Sequence, residues 1–310
     1  MIIVTGAIAY DYIMDFPGSF GDHILPDQTH NINLSFTVNK FAKRRGGTAG
    51  NTSYTLGLFR TPHVLLSIAG KDFGEYKKDF QKLNISLDHV SIDKHNYTAT
   101  GFAMTDKKDN QIWGYFPGAS KSLSRLNLKK IAKKDDFVLI GPSGKAGTIS
   151  FIKQCVELGI DYMFDLGFTI TSINKAELKY GISHGTYIIG NDYEIAIMKQ
   201  KVKNWKKIVK DKILITTLGE KGAQIQRKNK NIFIKPAVPK RVVDPTGAGD
   251  AYRAGFLVGI EKGLDLQTAG QMGAVAASFA IEYYGSQEHK FTIKEFKNRY
   301  RQTYGSVLGL

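Results

Sequence analysis

Val242-Val-Asp-Pro-Thr-Gly-Ala-Gly-Asp-Ala-Tyr-Arg-Ala-Gly-Phe256 is the stretch from which the fold can be read. Its glycines let backbone amides converge without side-chain interference. A helical pattern follows, with Ala251, Ala254, Gly255 and Val258 as a small-residue packing face. A helix start carries unpaired N–H groups and the positive dipole end, which together favour an anion. The amides of Gly247, Ala248 and Gly249 are therefore candidates for a phosphoryl group. Asp250 fits poorly beside an anion unless it takes a proton from an attacking hydroxyl. The plainer alternative is a carboxylate complementing the helix dipole. The stretch is not a Walker A loop, since no Gly-Lys-Ser/Thr follows. Gly6-Ala-Ile-Ala-Tyr-Asp11 holds one glycine and is no dinucleotide fingerprint.

Outward from this segment, short apolar runs alternate with helical patterns. Ile2 to Thr5, Val64 to Ile68, Phe137 to Ile140, Tyr162 to Phe164, Tyr187 to Ile189 and Ile213 to Thr216 read as buried strands. Helical patterns cover Thr48 to Phe59, Gly147 to Leu158, Asp192 to Gln200, Ala248 to Lys262, Leu266 to Tyr283 and Ile293 to Tyr304. Continuous apolar strands separated by helices predict a mostly parallel α/β sheet covered on both faces. Two segments break the rhythm. His30 to Phe41 alternates through Ile32, Leu34, Phe36 and Val38, and Thr98 to Phe116 reads as strand around a turn at 106–110. They predict a small β appendage on one domain spanning residues 1–310.

Composition narrows the class. The chain has 310 residues, 42% apolar and 23% charged, a globular balance. Its one cysteine, Cys155, sits in an apolar context and excludes a disulfide framework or cysteine zinc cluster. A reducing, cytoplasmic setting fits. Met1 to Ala9 lacks a positive leader, and no apolar run approaches the ~20 residues of a membrane span. The net charge of +15 invites a nucleic-acid partner. The lysines are scattered, however, and no aromatics are spaced as a stacking platform, so a solvated surface is expected and no nucleic acid.

Several motifs together resemble the ribokinase-like (PfkB) carbohydrate and nucleoside kinases. These are Gly46-Gly-Thr-Ala-Gly-Asn51, Gly70-Lys-Asp-Phe-Gly74, Asn191-Asp-Tyr-Glu194, Thr217-Leu-Gly-Glu-Lys-Gly222 and Asp244-Pro-Thr-Gly-Ala-Gly-Asp250, in the family's order. Thr5 to Asp11, Leu34-Ser-Phe36 and Gly285-Ser-Gln-Glu288 are similar to prokaryotic adenosine and related nucleoside kinases. The resemblance implies a doubly wound α/β fold with a β-strand lid, here about residues 12–45 and 97–117. It implies Asp250 as base, with Gly247, Ala248 and Gly249 as anion hole. Asp11, Ser35, Gly46, Gly47, Asn51 and Tyr115 would bind the acceptor. Asn191, Thr217, Gly219 and Gly222 would bind ATP, Glu194 would hold Mg²⁺ through water, and Asp244 would lie near a K⁺ site.

The pattern departs from the nucleoside kinases in three places. Ala7 stands for a serine, Gly101 beside Phe102 for a lid aromatic, and Phe168-Thr169 for a glutamine pair. The expected reaction is phosphoryl transfer from Mg·ATP to the 5′-hydroxyl of a nucleoside, adenosine first, with lid strands Leu34 to Lys40 and Gly101 to Tyr115 closing over the sugar. A ribokinase- or fructokinase-like sugar kinase is the alternative, and a non-catalytic nucleotide- or nucleic-acid-binding protein the remote one. Exposed lid strands would also invite a homodimer.

Overall fold

The computed structural model describes residues 1–24, 33–108 and 110–309. Along the chain the elements are β1 (Ile2–Thr5), β2 (Ala9–Asp15), β3 (Lys40–Gly46), α1 (Thr48–Leu58), β4 (His63–Gly70), α2 (Gly74–Lys82), β5 (Val90–Asp93), β6 (Ala99–Thr105) and β7 (Gln111–Phe116). There follow β8 (Phe137–Ile140), α3 (Gly144–Leu158), β9 (Asp161–Asp165), α4 (Lys175–His184), β10 (Tyr187–Asn191), α5 (Asp192–Lys201), α6 (Trp205–Val209) and β11 (Ile213–Thr217). The chain ends with β12 (Ala223–Arg227), β13 (Lys230–Ile234), α7 (Ala248–Glu261), α8 (Leu266–Ala280) and α9 (Ile293–Tyr304).

All six strands expected from apolar runs are present. They sit inside a large sheet of order β13-β12-β11-β10-β9-β8-β1-β4-β5. From β5 to β11 neighbours run parallel, and β12 and β13 add an antiparallel edge. One face buries Leu56, Tyr76, Phe80, Phe256, Val275 and Phe296 of α1, α2, α7, α8 and α9. The other buries Phe151, Ile152, Leu178, Ile182, Ile195 and Met198 of α3, α4 and α5. Cover on both faces explains why these strands read as uninterrupted apolar runs. The sheet is doubly wound, and β1 lies where the order reverses, β4 on one side and β8 on the other. In such sheets ligands bind at the carboxyl ends of the strands beside this switch. No helix among the described residues is long and apolar enough to cross a membrane.

A second sheet, order β3-β2-β6-β7, forms the β appendage. Here the structure corrects the strand expected over His30 to Phe41. Residues 30–32 lie outside the described residues, and 33–38 are irregular. The strand begins later, where Lys40 pairs with Asp15 and Gly46 with Ala9. Phe36, whose alternation suggested a strand, packs instead against Phe16, Phe20 and His23. The apolar spacing recorded an aromatic cluster rather than a pleat. The strand nearer the domain, Lys-Phe-Ala-Lys-Arg-Arg-Gly, was hidden by its charge.

Candidate active site

Two helices start at the carboxyl edge of the sheet, and both starts are glycines. Gly47 caps α1 at φ +83° and Gly247 caps α7 at φ +81°, a region costly for any residue with a Cβ. A Cβ on Gly247 would lie 2.5 Å from that of Ser286. Each first turn leaves backbone N–H groups without a partner inside its helix.

Across this junction the Asn51 Nδ2 of α1 donates to Oδ2 of Asp250 in α7 at 2.7 Å. Asn51 is itself fixed, its Oδ1 accepting from Ser286 Oγ at 2.9 Å and Gln287 Nε2 at 2.8 Å. Asn51 was expected at the sugar; its amide donates to Asp250 with one hydrogen to spare. The Asp250 side chain is 13% exposed. Burial pushes its carboxyl above the ordinary range, while Arg253 and the Asn51 hydrogen bond pull it back and Glu194 adds repulsion.

Arg253 lies one turn along α7. Its Nη1 is 3.5 Å from Asp250 Oδ1. Its Nη2 donates to Asp165 Oδ1 at 2.9 Å, and its Nε lies 2.7 Å from Oδ2. Asp165 ends β9 and is fully buried, and that burial raises its carboxyl to about 7 despite Arg253. Neither Arg253 nor Asp165 was singled out from the sequence. Asp165 follows an apolar strand and reads as its end, and an arginine within a helix reads as surface. The one available signal was an arginine three residues after Asp250, one turn along the same helix.

Asp11 lies mid-strand in β2, opposite Gly101 of β6. A Cβ at Gly46 would come 2.0 Å from Asp11 Oδ2, and one at Gly101 would come 2.8 Å from Oδ1. The carboxylate thus lies in a slot that two missing side chains create. Burial, with repulsion from Asp250 and Asp244, raises it to about 6. Over Gly101 lies the indole of Trp113 of β7, which a Cβ there would meet at 2.6 Å. The aromatic absent at position 101 is replaced from the adjoining strand, a substitution visible only once β6 and β7 are paired. Tyr115 shares the row of Asp11 and Gly101 and packs on Phe168 with ring centres 5.2 Å apart. A cavity of about 430 Å³ opens here, lined by Asp11, Ile13, Trp113, Asp244, Thr246 and Tyr284 among others. Ser35 is exposed on the irregular segment before β3 and does not line it.

Of the remaining expected residues, Asn191 and Thr217 end strands. Asn191 ends β10 and caps α5. Its backbone N–H donates to Glu194 Oε2 at 2.8 Å, and Glu194 N–H donates to Asn191 Oδ1 at 2.8 Å. This is a capping box, with one Glu194 oxygen left over. Thr217 ends β11, and Leu218 N–H donates to the Gly222 carbonyl at 2.8 Å, closing a turn that holds Gly219 at φ +58°. Asp244 is buried and accepts N–H groups from Thr246 at 2.8 Å and Gly285 at 2.9 Å.

Residues 9–292 match the model of the pfkB family of carbohydrate kinases. A nucleoside kinase of Methanocaldococcus jannaschii is 30% identical over 292 residues, covering 92% of each protein. A nucleoside kinase of Burkholderia thailandensis, solved in complex with inosine, superposes with TM-score 0.90 at 31% identity, covering 99% of this chain and 100% of that one. The same enzyme in complex with ADP-inosine gives 0.86 at 34% identity, covering 99% and 97%. The ribokinase of Thermotoga maritima, 20% identical with TM-score 0.79, shares the fold. A glycine-capped helix start, a carboxylate held beside it and a family match over nearly the whole chain agree: the chain belongs to the pfkB family of carbohydrate kinases and is a phosphotransferase with an alcohol group as acceptor.

Proposed function

We propose that this chain is an ATP-dependent nucleoside kinase, transferring the γ-phosphoryl group to the 5′-hydroxyl of a purine nucleoside, adenosine first. The observation that carries the reading is Asp250, held by Asn51 at the first turn of α7 with its proton affinity raised by burial. A carboxylate so tuned accepts the hydroxyl proton as the oxygen attacks phosphorus. The amides of Gly247, Ala248 and Gly249 meet the charge on the transferring group. Asp11, acceptor-only when ionised, suits the paired hydroxyls of a ribose, with the Gly46 and Gly47 backbone beside it. Trp113, Tyr115 and Phe168 offer faces to a flat base. The small sheet acts as the lid that excludes water. The likeness to nucleoside kinases, one of them solved with inosine, supports a nucleoside over a free sugar.

On the nucleotide side, Asn191, Thr217, Gly219 and Gly222 would border ATP. Among the described residues no three His, Cys, Asp or Glu side chains converge as a metal site. The donors therefore fit a hydrated Mg²⁺ arriving with the triphosphate and touched by the remaining oxygen of Glu194 through water. Mg²⁺ would neutralise phosphate charge. Asp244 keeps lone pairs beyond its two backbone bonds, which suit a monovalent cation such as K⁺.

The outer face of the lid exposes Phe41, Phe102 and Ile112 around Tyr12, which stacks on Phe102. A second copy of the chain would cover this patch. The acceptor is tested by turnover with adenosine, inosine, guanosine, cytidine, ribose and fructose in the presence of Mg²⁺ and K⁺. Phosphorylation of the purine nucleosides is expected; turnover of ribose or fructose alone would replace this reading with a sugar kinase.

A further inference from the structure

We propose that Arg253, clamped by Asp165, is the positioning residue of the phosphoryl-transfer site: it aims Asp250 and supplies the positive charge that lets a carboxylate stand beside an anion hole. The proposal rests on reading Asp250 as the base. It answers the difficulty that Asp250 posed in the sequence, where a negative side chain follows three amides suited to phosphate.

The geometry is a chain of three groups. Asp165, fully buried at the end of β9, accepts a hydrogen bond from Arg253 Nη2 at 2.9 Å, and its Oδ2 forms an ion pair with Nε at 2.7 Å. A planar guanidinium bonded through one nitrogen and ion-paired along the same side has its remaining nitrogen turned the other way. That nitrogen, Nη1, lies 3.5 Å from Asp250 Oδ1. The opposite oxygen, Oδ2, receives Asn51. Asp250 is thus held from both sides, by a cation on its own helix and an amide on α1. Nη1 also lies 2.7 Å from where a Cβ on Gly249 would be, so the charge reaches the anion hole itself.

The charge balance gives the arginine its weight. Facing Asp250 are Glu194 of α5 and Arg253 of its own helix, while Thr48 and Asn51 of α1 are neutral donors. Asp250 in turn acts on Asp165 at the end of β9 and on Asp11 of β2, which also feels Asp244. Arg253 is the cation of this set. A neutral residue there would leave buried carboxylates opposed only by neutral donors as a triphosphate arrives. Asp250 would then hold its proton to higher pH and fail as a base at neutrality.

The test is the pH profile of kcat for three variants, with Asp250→Asn measured alongside. Arg253→Gln should lower kcat at pH 7 by about tenfold or more and move the acid limb up by about one unit, so that activity recovers as pH rises. Arg253→Lys keeps the charge but loses the fork, so kcat should fall with the limb near its original place. Asp165→Asn leaves the arginine undivided, and the limb should move down. A purely structural role would lower activity in both Arg253→Gln and Asp165→Asn without opposite shifts. Circular dichroism and ADP binding by calorimetry report whether each variant folds, and Asp165→Asn carries the test should Arg253→Gln not fold. Limbs unmoved in the folded variants, with Asp250→Asn inactive, would overturn the role of Arg253 alone. An active Asp250→Asn would instead overturn the base on which it rests.

Discussion

Asp11 shows how far one side chain can be asked to do two incompatible things. Burial in its slot between Gly46 and Gly101, with repulsion from two other carboxylates, raises its pKa to about 6. Binding sugar hydroxyls requires the ionised form. The KM for the nucleoside should therefore climb as pH falls below about 6, while the KM for ATP stays level; a nucleoside KM flat from pH 5 to 8 would argue against Asp11 as the diol acceptor. The same shift bears on stability with the opposite preference. The folded chain binds the Asp11 proton more tightly than the unfolded chain, so this contribution is full below the ordinary carboxylate range and is lost as pH rises through about 6. Asp11→Asn should then raise the melting temperature at pH 7.5 by about 2 °C or more while acceptor binding collapses. Thermal unfolding and nucleoside calorimetry on the same sample check both halves. At this scale Asp250, Gly247 and Asn51 were legible because their motifs require those residue types. Trp113 and Arg253 were not, because their roles depend on which strand or helix turn lies beside them.

The decisive elements are the paired starts of α1 and α7, and each start is a glycine in left-handed backbone. Gly247→Ala forces a Cβ to 2.5 Å from that of Ser286, in the loop that holds Asn51. We expect a loss of about 1–3 kcal/mol in stability, with kcat reduced more than either KM because Asp250 and Asn51 are both displaced. Urea unfolding and steady-state kinetics measure the two effects, and a variant with wild-type kcat would show that the junction does not set the catalytic geometry. The parallel strands and their helices were readable in the chain because burial on two faces leaves an unbroken apolar record. β3 was misplaced and β2 missed, because their residues answer to the site: β2 carries Asp11 at its middle, and β3 is largely charged. α2 escaped notice because it buries only Tyr76 and Phe80.

The whole molecule places a basic, lysine-rich body under a small sheet whose outer face is apolar. If two copies meet through that face, Phe41→Asp should move the chain from dimer to monomer in sedimentation; an unchanged mass in both proteins would remove the small sheet as an interface. The doubly wound sheet gathers Asn51, Asp165, Asn191, Thr217 and Asp250 at its carboxyl edge, and the small sheet adds Asp11, from stretches far apart in the chain. Sequence spacing alone cannot assemble such a group, which is why single motifs said little and their shared order said more. The central claim is that this edge works by proton removal at Asp250. Its most direct measurement is single-turnover phosphoryl transfer to adenosine or inosine by Asp250→Asn, with ADP affinity determined on the same protein. The account predicts nucleotide binding within about threefold of the parent and transfer slowed by about 10²–10⁴-fold. Transfer at the parent rate with binding intact would contradict it.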